Sequence, residues 1–560
     1  MENNQSNIKR TKRLIVCGVL LLAAVSASWT FTEKTLGNHE CFVSITAREM
    51  LQSGDWIWPT CNWQPRLNKT PLSYWLVAGI AKITGEVDEF TARLPSAVFA
   101  VLSVAAILYF VSRLLSFRIA AVSAAVWATS LAYVRYAHNA RPEMALTFFI
   151  VLCLLSFYSA VTTQSRKRQV AYMLVFWFGF ALANLAKGPA PLPLVLLPIF
   201  FYIAVFRQWK MLPKLLPIAG MIIFLAIVLP WPLAIAAKLN WDLAIWKREF
   251  IDRFLGTYRP GGKPIYYYFY IMFQFALPWV AFLPMALAAP FFRVWNKKRA
   301  VMQFLWLWFV IDLAFLTISG GKRQHYILPL MPAMAILIGI LIEDMAFVQK
   351  AYTKKYAAGI LRNHIVVIIT CAIIAPIVVL IAGNIKGPLH AARTNSQLLT
   401  AAVILSAITI VVAVAVAVLF AKRRPAAACS AVFAGIVVLI MIAYVSILNP
   451  LDYNRYSRDF SRKLAQIVPQ SDNLVAYEYI SNRSVHYFGR AIPEIKDKSR
   501  LYERYEQGDW VVATAGHLEK LQNEGKLKMV YYREKAERRW HQNAPGALFH
   551  KSAKFVGKDP

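Results

Sequence analysis

Between the first and second membrane-length apolar runs of this chain lies a loop whose residue types suit chemistry on an anionic ligand. His39 and Glu40 open it, and Arg66 and Lys69 close it among Trp63, Pro65, Tyr74 and Trp75. A carboxylate such as Glu40 can act as general base toward an acceptor hydroxyl, or hold a metal or an amine. An ion pair with a nearby Arg or Lys is the plainer reading. Glu143, in Arg141-Pro-Glu-Met144, carries the same two readings. Lys187 in Ala186-Lys-Gly-Pro189, Arg259 beside Pro260, and Lys322 and Arg323 ahead of Tyr326 add cations close to the ends of apolar runs. Lys and Arg hold phosphate as point charge and as planar fork. For any one of them, anchoring to lipid headgroups explains as much. Taken together, Lys69, Lys187, Arg259, Lys322 and Arg323 favour a bound anion.

The elements that must position these residues are membrane helices. The chain has 560 residues, 58% hydrophobic and 14% aromatic, with a mean hydropathy of +0.46. Repeated apolar runs of about 17–25 residues are the mark of spanning helices. Thirteen are expected, near 14–31, 94–113, 117–135, 144–162, 170–186, 190–206, 214–237, 267–291, 302–318, 326–346, 364–383, 398–420 and 427–448. With the basic N-terminus in the cytoplasm, every alternate loop is basic, from Arg113 and Arg118 through Lys422, Arg423 and Arg424, as the positive-inside bias requires. The first run lacks a small-residue cleavage site before Glu33, so it reads as a retained helix. The expected organisation is a membrane domain over 1–448, its first outer loop 32–93 bearing site residues, and an extracytoplasmic domain over 449–560. In that tail 457–468 reads as an amphipathic helix, 474–480, 509–514 and 528–533 as strands, and 518–524 as a helix, a small α/β domain.

The net charge of +33 raises nucleic acid as a partner. Many of the basic residues orient short loops, and no DNA- or RNA-binding motif is present, so none is expected. Six cysteines show no metal-ligand spacing. Cys41 and Cys61 share the first loop and can pair if it faces an oxidising compartment; two free thiols is the simpler reading. Asp312, inside the ninth run, either lines a cavity or pairs between helices, and the pair is the expected reading.

The string Arg48-Glu-Met50, Ser53-Gly-Asp-Trp56, Lys69-Thr-Pro-Leu-Ser-Tyr-Trp75 and Ala92-Arg-Leu-Pro-Ser96 resembles the GT-C superfamily of membrane glycosyltransferases. It is most similar to lipid A aminoarabinose transferases, with protein O-mannosyltransferases as cousins. Leu185-Ala-Lys-Gly-Pro189 and Lys322-Arg-Gln-His-Tyr-Ile-Leu-Pro329 look like further signatures of the family. The resemblance implies a mostly α integral membrane protein that takes a sugar from a polyprenyl-phosphate donor, at the periplasmic face of the inner membrane, to a lipid, glycan or protein acceptor. It departs from the family at His39-Glu40, where an Asp-Glu pair is usual, at Asn68, where the aminoarabinose branch has a carboxylate, and at Glu143, the acidic position of a Pro-Asp-Met-like motif. The missing Asp moves the base role to Glu40, with His39 as substitute. The missing carboxylate at Asn68 removes a ligand from any carried-over metal site, so no cofactor is assigned and a divalent metal is left open without support. Lys69, Lys187, Arg259 and Lys322 would hold the leaving phosphate, with Tyr326 donating a hydrogen bond. A protein O-glycosyltransferase is the alternative within the class. A lipid or sugar flippase is the alternative outside it, and the paired repeats and broken midplane helices of transporters are not evident.

Overall fold

The computed structural model describes residues 2–257, 263–348, 396–448 and most of 452–559, with a few helical residues between 366 and 377. Arg259 and nearly all of the predicted span at 364–383, with Cys371, lie outside the described residues. The chain divides into two compact units. One comprises Met1–Phe31, Asn68–Leu72 and Arg93–Pro450; the other comprises Thr32–Leu67, Ser73–Ala92 and Leu451–Pro560.

In the first unit eight helices are long and apolar enough to cross a membrane, and up to 11 spans result if each of three bent helix pairs counts as one. The count of thirteen is therefore not reached among the described residues. One of the two remaining expected spans is 364–383. The other is the helix Pro191–Val205, whose 15 residues extend roughly 22 Å, short of a hydrocarbon core of about 30 Å. The bends have local causes. Leu216 takes a left-handed conformation, φ 50°, just before Pro217, which cannot continue the preceding helix. Ser130 caps a fresh helix by accepting from the Tyr133 N–H, at a break of 59° after Ala128.

The helix Met331–Glu343 is buried at every residue and Glu143–Thr162 at nearly every one. Neither has a polar face, as expected of helices enclosed by others. Close approach matters here: a Cβ on Gly339 would fall 2.1 Å from Ser123 Oγ, so only glycine lets Met331–Glu343 pack on the helix Phe117–Ala128. Buried indole N–H groups find hydroxyl partners, Trp127 on Ser103 at 2.8 Å and Trp279 on Thr129 at 3.1 Å. Arg93 of the Ala92–Ser96 motif is 1% exposed and donates to the Phe31 carbonyl, so its role is to tie down the end of the first span. Asp312 departs from expectation. It is fully buried, yet neither carboxylate oxygen has a hydrogen-bond partner and no ion pair reaches it among the described residues. The expected interhelical pair does not form among the described residues.

The second unit is built on a six-stranded sheet. Its strands are β3 (Leu474–Tyr477), β4 (Glu494–Ile495), β5 (Trp510–Thr514), β6 (Met529–Arg533), β7 (Pro545–Phe549) and β8 (Gly557–Asp559), in the order β4-β3-β5-β7-β6-β8. β3 pairs in parallel with β4 and β5, and β7 is antiparallel to its neighbours. Three strands match those expected from alternation. β4 is two residues long and β7 opens on Pro-Gly, so neither carries a legible pattern. The expected 457–468 helix appears as Arg455–Ile467, and most of 518–524 is outside the described residues. A short hairpin, β1 (Thr60–Cys61) with β2 (Gln64–Pro65), turns through Asn62 and Trp63, both at positive φ as a two-residue turn demands. Glu49 anchors it by accepting from the Trp63 N–H at 3.1 Å and from the Thr60 hydroxyl. Burial pushes the Glu49 carboxyl up, against those hydrogen bonds.

Candidate active site

In the first unit the sequence brings charge to one end of several helices. Glu143 opens one span, Lys187 closes the next, and His325 stands at the start of a third. Lys187 Nζ lies 3.2 Å from Glu143 Oε1, and His325 Nε2 lies 3.4 Å from the same oxygen. The other oxygen, Oε2, is buried and has no partner among the described residues. Lys187 also sits 5.3 Å from the centre of the Tyr326 ring, a cation–π contact.

A second charged group adjoins the first through backbone. Thr70 Oγ1 accepts from the Gly188 N–H at 3.2 Å, which joins the Lys69 segment to the turn after Lys187. Gly188 has φ +62°, and a Cβ there would meet the Phe250 ring at 2.8 Å; glycine is needed for both reasons. Beside Phe250, the buried Glu249 accepts from Lys69 and, at 2.7 Å, from Arg253 one helical turn on. Burial pushes the Lys69 ammonium below the usual lysine range, and the Glu249 carboxylate opposes that shift. The 319–323 turn packs on this segment. Gly320 N–H donates to the Phe254 carbonyl at 2.9 Å, and Lys322 Nζ donates to the Ser319 carbonyl at 2.7 Å. The Arg323 side chain is exposed, while its N–H donates to the Tyr268 hydroxyl.

Of the residues picked from the sequence, Lys69, Glu143, Lys187, Lys322, Arg323 and Tyr326 all belong to this unit. His39, Glu40 and Arg66 belong to the other. Glu40 is the third residue of the helix Asn38–Ser53, 5% exposed, and its Oε2 accepts from the Gly37 N–H at 2.7 Å, which satisfies an otherwise orphaned donor. The His39 ring lies 6.1 Å from that of Phe42. The Arg66 guanidinium lies 3.7 Å from the Phe42 ring centre, and its Nε donates to the Tyr74 hydroxyl at 3.1 Å. Cys41 and Cys61 are buried thiols not joined by a disulfide, and burial pushes the Cys61 thiol up to about 12. Among the described residues no group of three or more His, Cys, Asp or Glu side chains is arranged to hold a metal ion.

Glu40 therefore has a capping contact that a glutamine can keep through its carbonyl oxygen. Glu40→Gln is expected to unfold at the parent's temperature, while Glu40→Ala destabilises the helix start by about 1 kcal/mol, the usual effect of a lost cap. Thermal unfolding of both variants checks this; equal stability of the alanine variant would show that the contact contributes nothing.

Helix ends thus gather lysine, arginine and buried carboxylate in a multi-span bundle. Residues 68–233 match the family described as dolichyl-phosphate-mannose-protein mannosyltransferase. The chain is 27% identical, over 60% of its length, to undecaprenyl phosphate-alpha-4-amino-4-deoxy-L-arabinose arabinosyl transferase 2 of Pseudomonas fluorescens, covering 60% of that protein. It is 30% identical, over 59% of its length, to an uncharacterized protein of Aquifex aeolicus, covering 72% of it. The match thus spans about six-tenths of the length of the named transferase. In fold it is similar to ArnT from Cupriavidus metallidurans, a structure bound to undecaprenyl phosphate, with a TM-score of 0.79 at 18% identity over 96% of this chain and 97% of that one. The chain is thus similar in sequence to an aminoarabinose transferase and, over 68–233, to the mannosyltransferase family, and similar in fold to ArnT.

Proposed function

We propose that this protein transfers a sugar from a polyprenyl-phosphate donor, undecaprenyl phosphate being the carrier its relatives name, to an acceptor at the outer face of the inner membrane. The observation that supports this most is the pairing of a cation cluster, Lys69, Lys187 and Arg253, with a buried Glu143 that keeps one oxygen unused. Such cations, preorganised in a dry site, stabilise charge as it develops on a leaving phosphate. In the proposed step the acceptor oxygen attacks C1 of the sugar from the side opposite the phosphate. The C1–O bond to phosphate breaks, polyprenyl phosphate departs, and Glu143 Oε2 takes the acceptor's proton. The configuration at C1 inverts. Glu40 holds the first-loop helix in place. If the acceptor is itself a phosphate, its oxygen is already ionised and Glu143 orients rather than deprotonates.

A lipid A-like acceptor is supported by the aminoarabinose relatives, and a protein acceptor by the mannosyltransferase match over 68–233. Mass spectrometry of envelope lipids and glycoproteins from a deletion strain tests both. A missing lipid-linked sugar supports the first, a missing glycopeptide the second, and an unchanged envelope overturns the transfer reading.

Orientation is proposed from the alternation of basic loops: N-terminus in the cytoplasm, residues 449–560 outside. A reporter fused after Lys422 is expected in the cytoplasm and one fused after Asn449 in the periplasm. Both fusions on one side would refute this topology.

A further inference from the structure

We propose that Glu249 determines which phosphate the site prefers: it trims the charge of Lys69 and Arg253 so that they favour the singly charged phosphodiester of the donor over the doubly charged phosphomonoester of the spent carrier. This inference rests on the donor reading given above. It starts from one shared oxygen. Glu249 Oε1 contacts Lys69 Nζ and lies 2.7 Å from Arg253 Nη1. The Lys69 side chain is 39% exposed and that of Arg253 25%, while that of Glu249 is 5% exposed. Both cations can therefore meet a ligand, and the carboxylate stays behind them.

The surrounding backbone keeps Glu249 in that place. It lies in a π-helical turn, Lys247–Asp252, a rare geometry that gathers at functional sites. The Phe250 ring fixes one side of this turn against Gly188. On the other side the Arg253 carbonyl approaches Gly321 so closely that a Cβ there would lie 2.1 Å from it. The Ser319 hydroxyl donates to the Phe254 carbonyl at 3.3 Å. If the carboxylate moved away from both cations within this packing, it would become a buried charge without a partner, which is strongly unfavourable.

The charges then decide the preference. Lys69 and Arg253 with Glu249 leave one unit of positive charge, and Lys187 is matched by Glu143. The donor's phosphate is a diester with one negative charge. When the sugar's C1–O bond breaks, its electron pair stays on the phosphate oxygen, and the acceptor's proton goes to Glu143. The spent carrier is a monoester, whose second pKa of about 6 gives it nearly two negative charges at neutral pH. Two unmatched cations would hold that dianion more tightly than the donor, and turnover would slow at its release. A fixed carboxylate about 5 Å away, at an effective dielectric constant near 20, repels the added charge enough to change binding by more than tenfold.

The test compares two lipids of one chain length, undecaprenyl phosphate and its monomethyl ester, which differ by one charge. Dissociation constants are measured by thermophoresis on the full-length protein in detergent. Glu249→Gln should raise the preference for the phosphate over its methyl ester by roughly tenfold or more relative to the parent. Glu249→Ala should do the same, and serves if the glutamine variant fails to fold. Glu249→Asp keeps the charge and should keep the parent's ratio. In turnover, Glu249→Gln should show a lower kcat and stronger inhibition by added undecaprenyl phosphate. A ratio unchanged in both neutral variants, or an equal change in affinity for both lipids, overturns the proposal and leaves the donor site standing. A parent protein that binds neither lipid overturns the donor reading, and the proposal falls with it.

Discussion

Glu143→Gln is expected to lower transfer to a hydroxyl acceptor by roughly 10²–10⁴-fold, the range contributed by a positioned proton acceptor. Glutamine preserves the shape of the side chain and can still accept a hydrogen bond from Lys187 or His325. It cannot take a proton. The loss should therefore fall on kcat, with donor affinity changed far less. A phosphate acceptor predicts a milder loss, because no proton need be removed. Purified variant, polyprenyl-phosphate sugar and acceptor in one detergent assay separate the cases. Turnover within a few-fold of the parent, at intact expression, would reduce Glu143 to an ion-pair partner of Lys187.

Lys69→Ala is expected to weaken binding of the polyprenyl-phosphate donor by about 1.5–3 kcal/mol, roughly ten- to a hundredfold. The fold should survive for a specific reason. Glu249, left without Lys69, keeps its 2.7 Å contact with Arg253, so no buried carboxylate is orphaned. Binding should also decline as the pH rises through the Lys69 pKa, which burial sets below that of an ordinary lysine, since only the protonated amine attracts phosphate. Unchanged affinity for polyprenyl phosphate in the alanine variant would make Lys69 a headgroup anchor and nothing more.

Much of the charged cluster is legible in the chain because its lysines stand close to the ends of apolar runs among aromatic residues and prolines. Glu249 and Arg253 are not. They lie in a stretch, 247–253, whose charges of both signs read as a solvated segment; the Lys69–Glu249 pair and the packing of Phe250 on Gly188 show that this stretch covers the Lys69 turn. His325 stands inside a motif that the sequence singles out, but a neutral imidazole carries no sign to betray it, and its tie to Glu143 is tertiary. The Glu40 contact did have a local signal, a residue of good capping type at Gly37 followed three positions later by glutamate. Hydropathy marks where spans occur but not where they bend. It also says nothing of the grouping of 32–67 and 73–92 with the C-terminal residues, because no periodic pattern reports a contact between segments so distant along the chain.

That grouping bears on how the chain can be made. The Leu36 N–H donates to the Tyr487 hydroxyl at 2.8 Å, and that hydroxyl donates to Glu89 at 2.8 Å. The Thr35 N–H bonds to Asp452 at 2.7 Å, and Arg48 donates to the His486 carbonyl at 2.9 Å. Each of these bonds closes a loop of hundreds of residues, and loop closure of that length is entropically unfavourable until the contacts beyond it form. A ribosome delivers the chain from its N-terminus at about 5–20 residues per second. The first loop therefore waits on the order of tens of seconds, with its apolar and polar partners not yet synthesised, while the whole membrane bundle is inserted. Its quality control is thus deferred to the last hundred residues, and a chain that stops short of them leaves that loop exposed to proteases and chaperones.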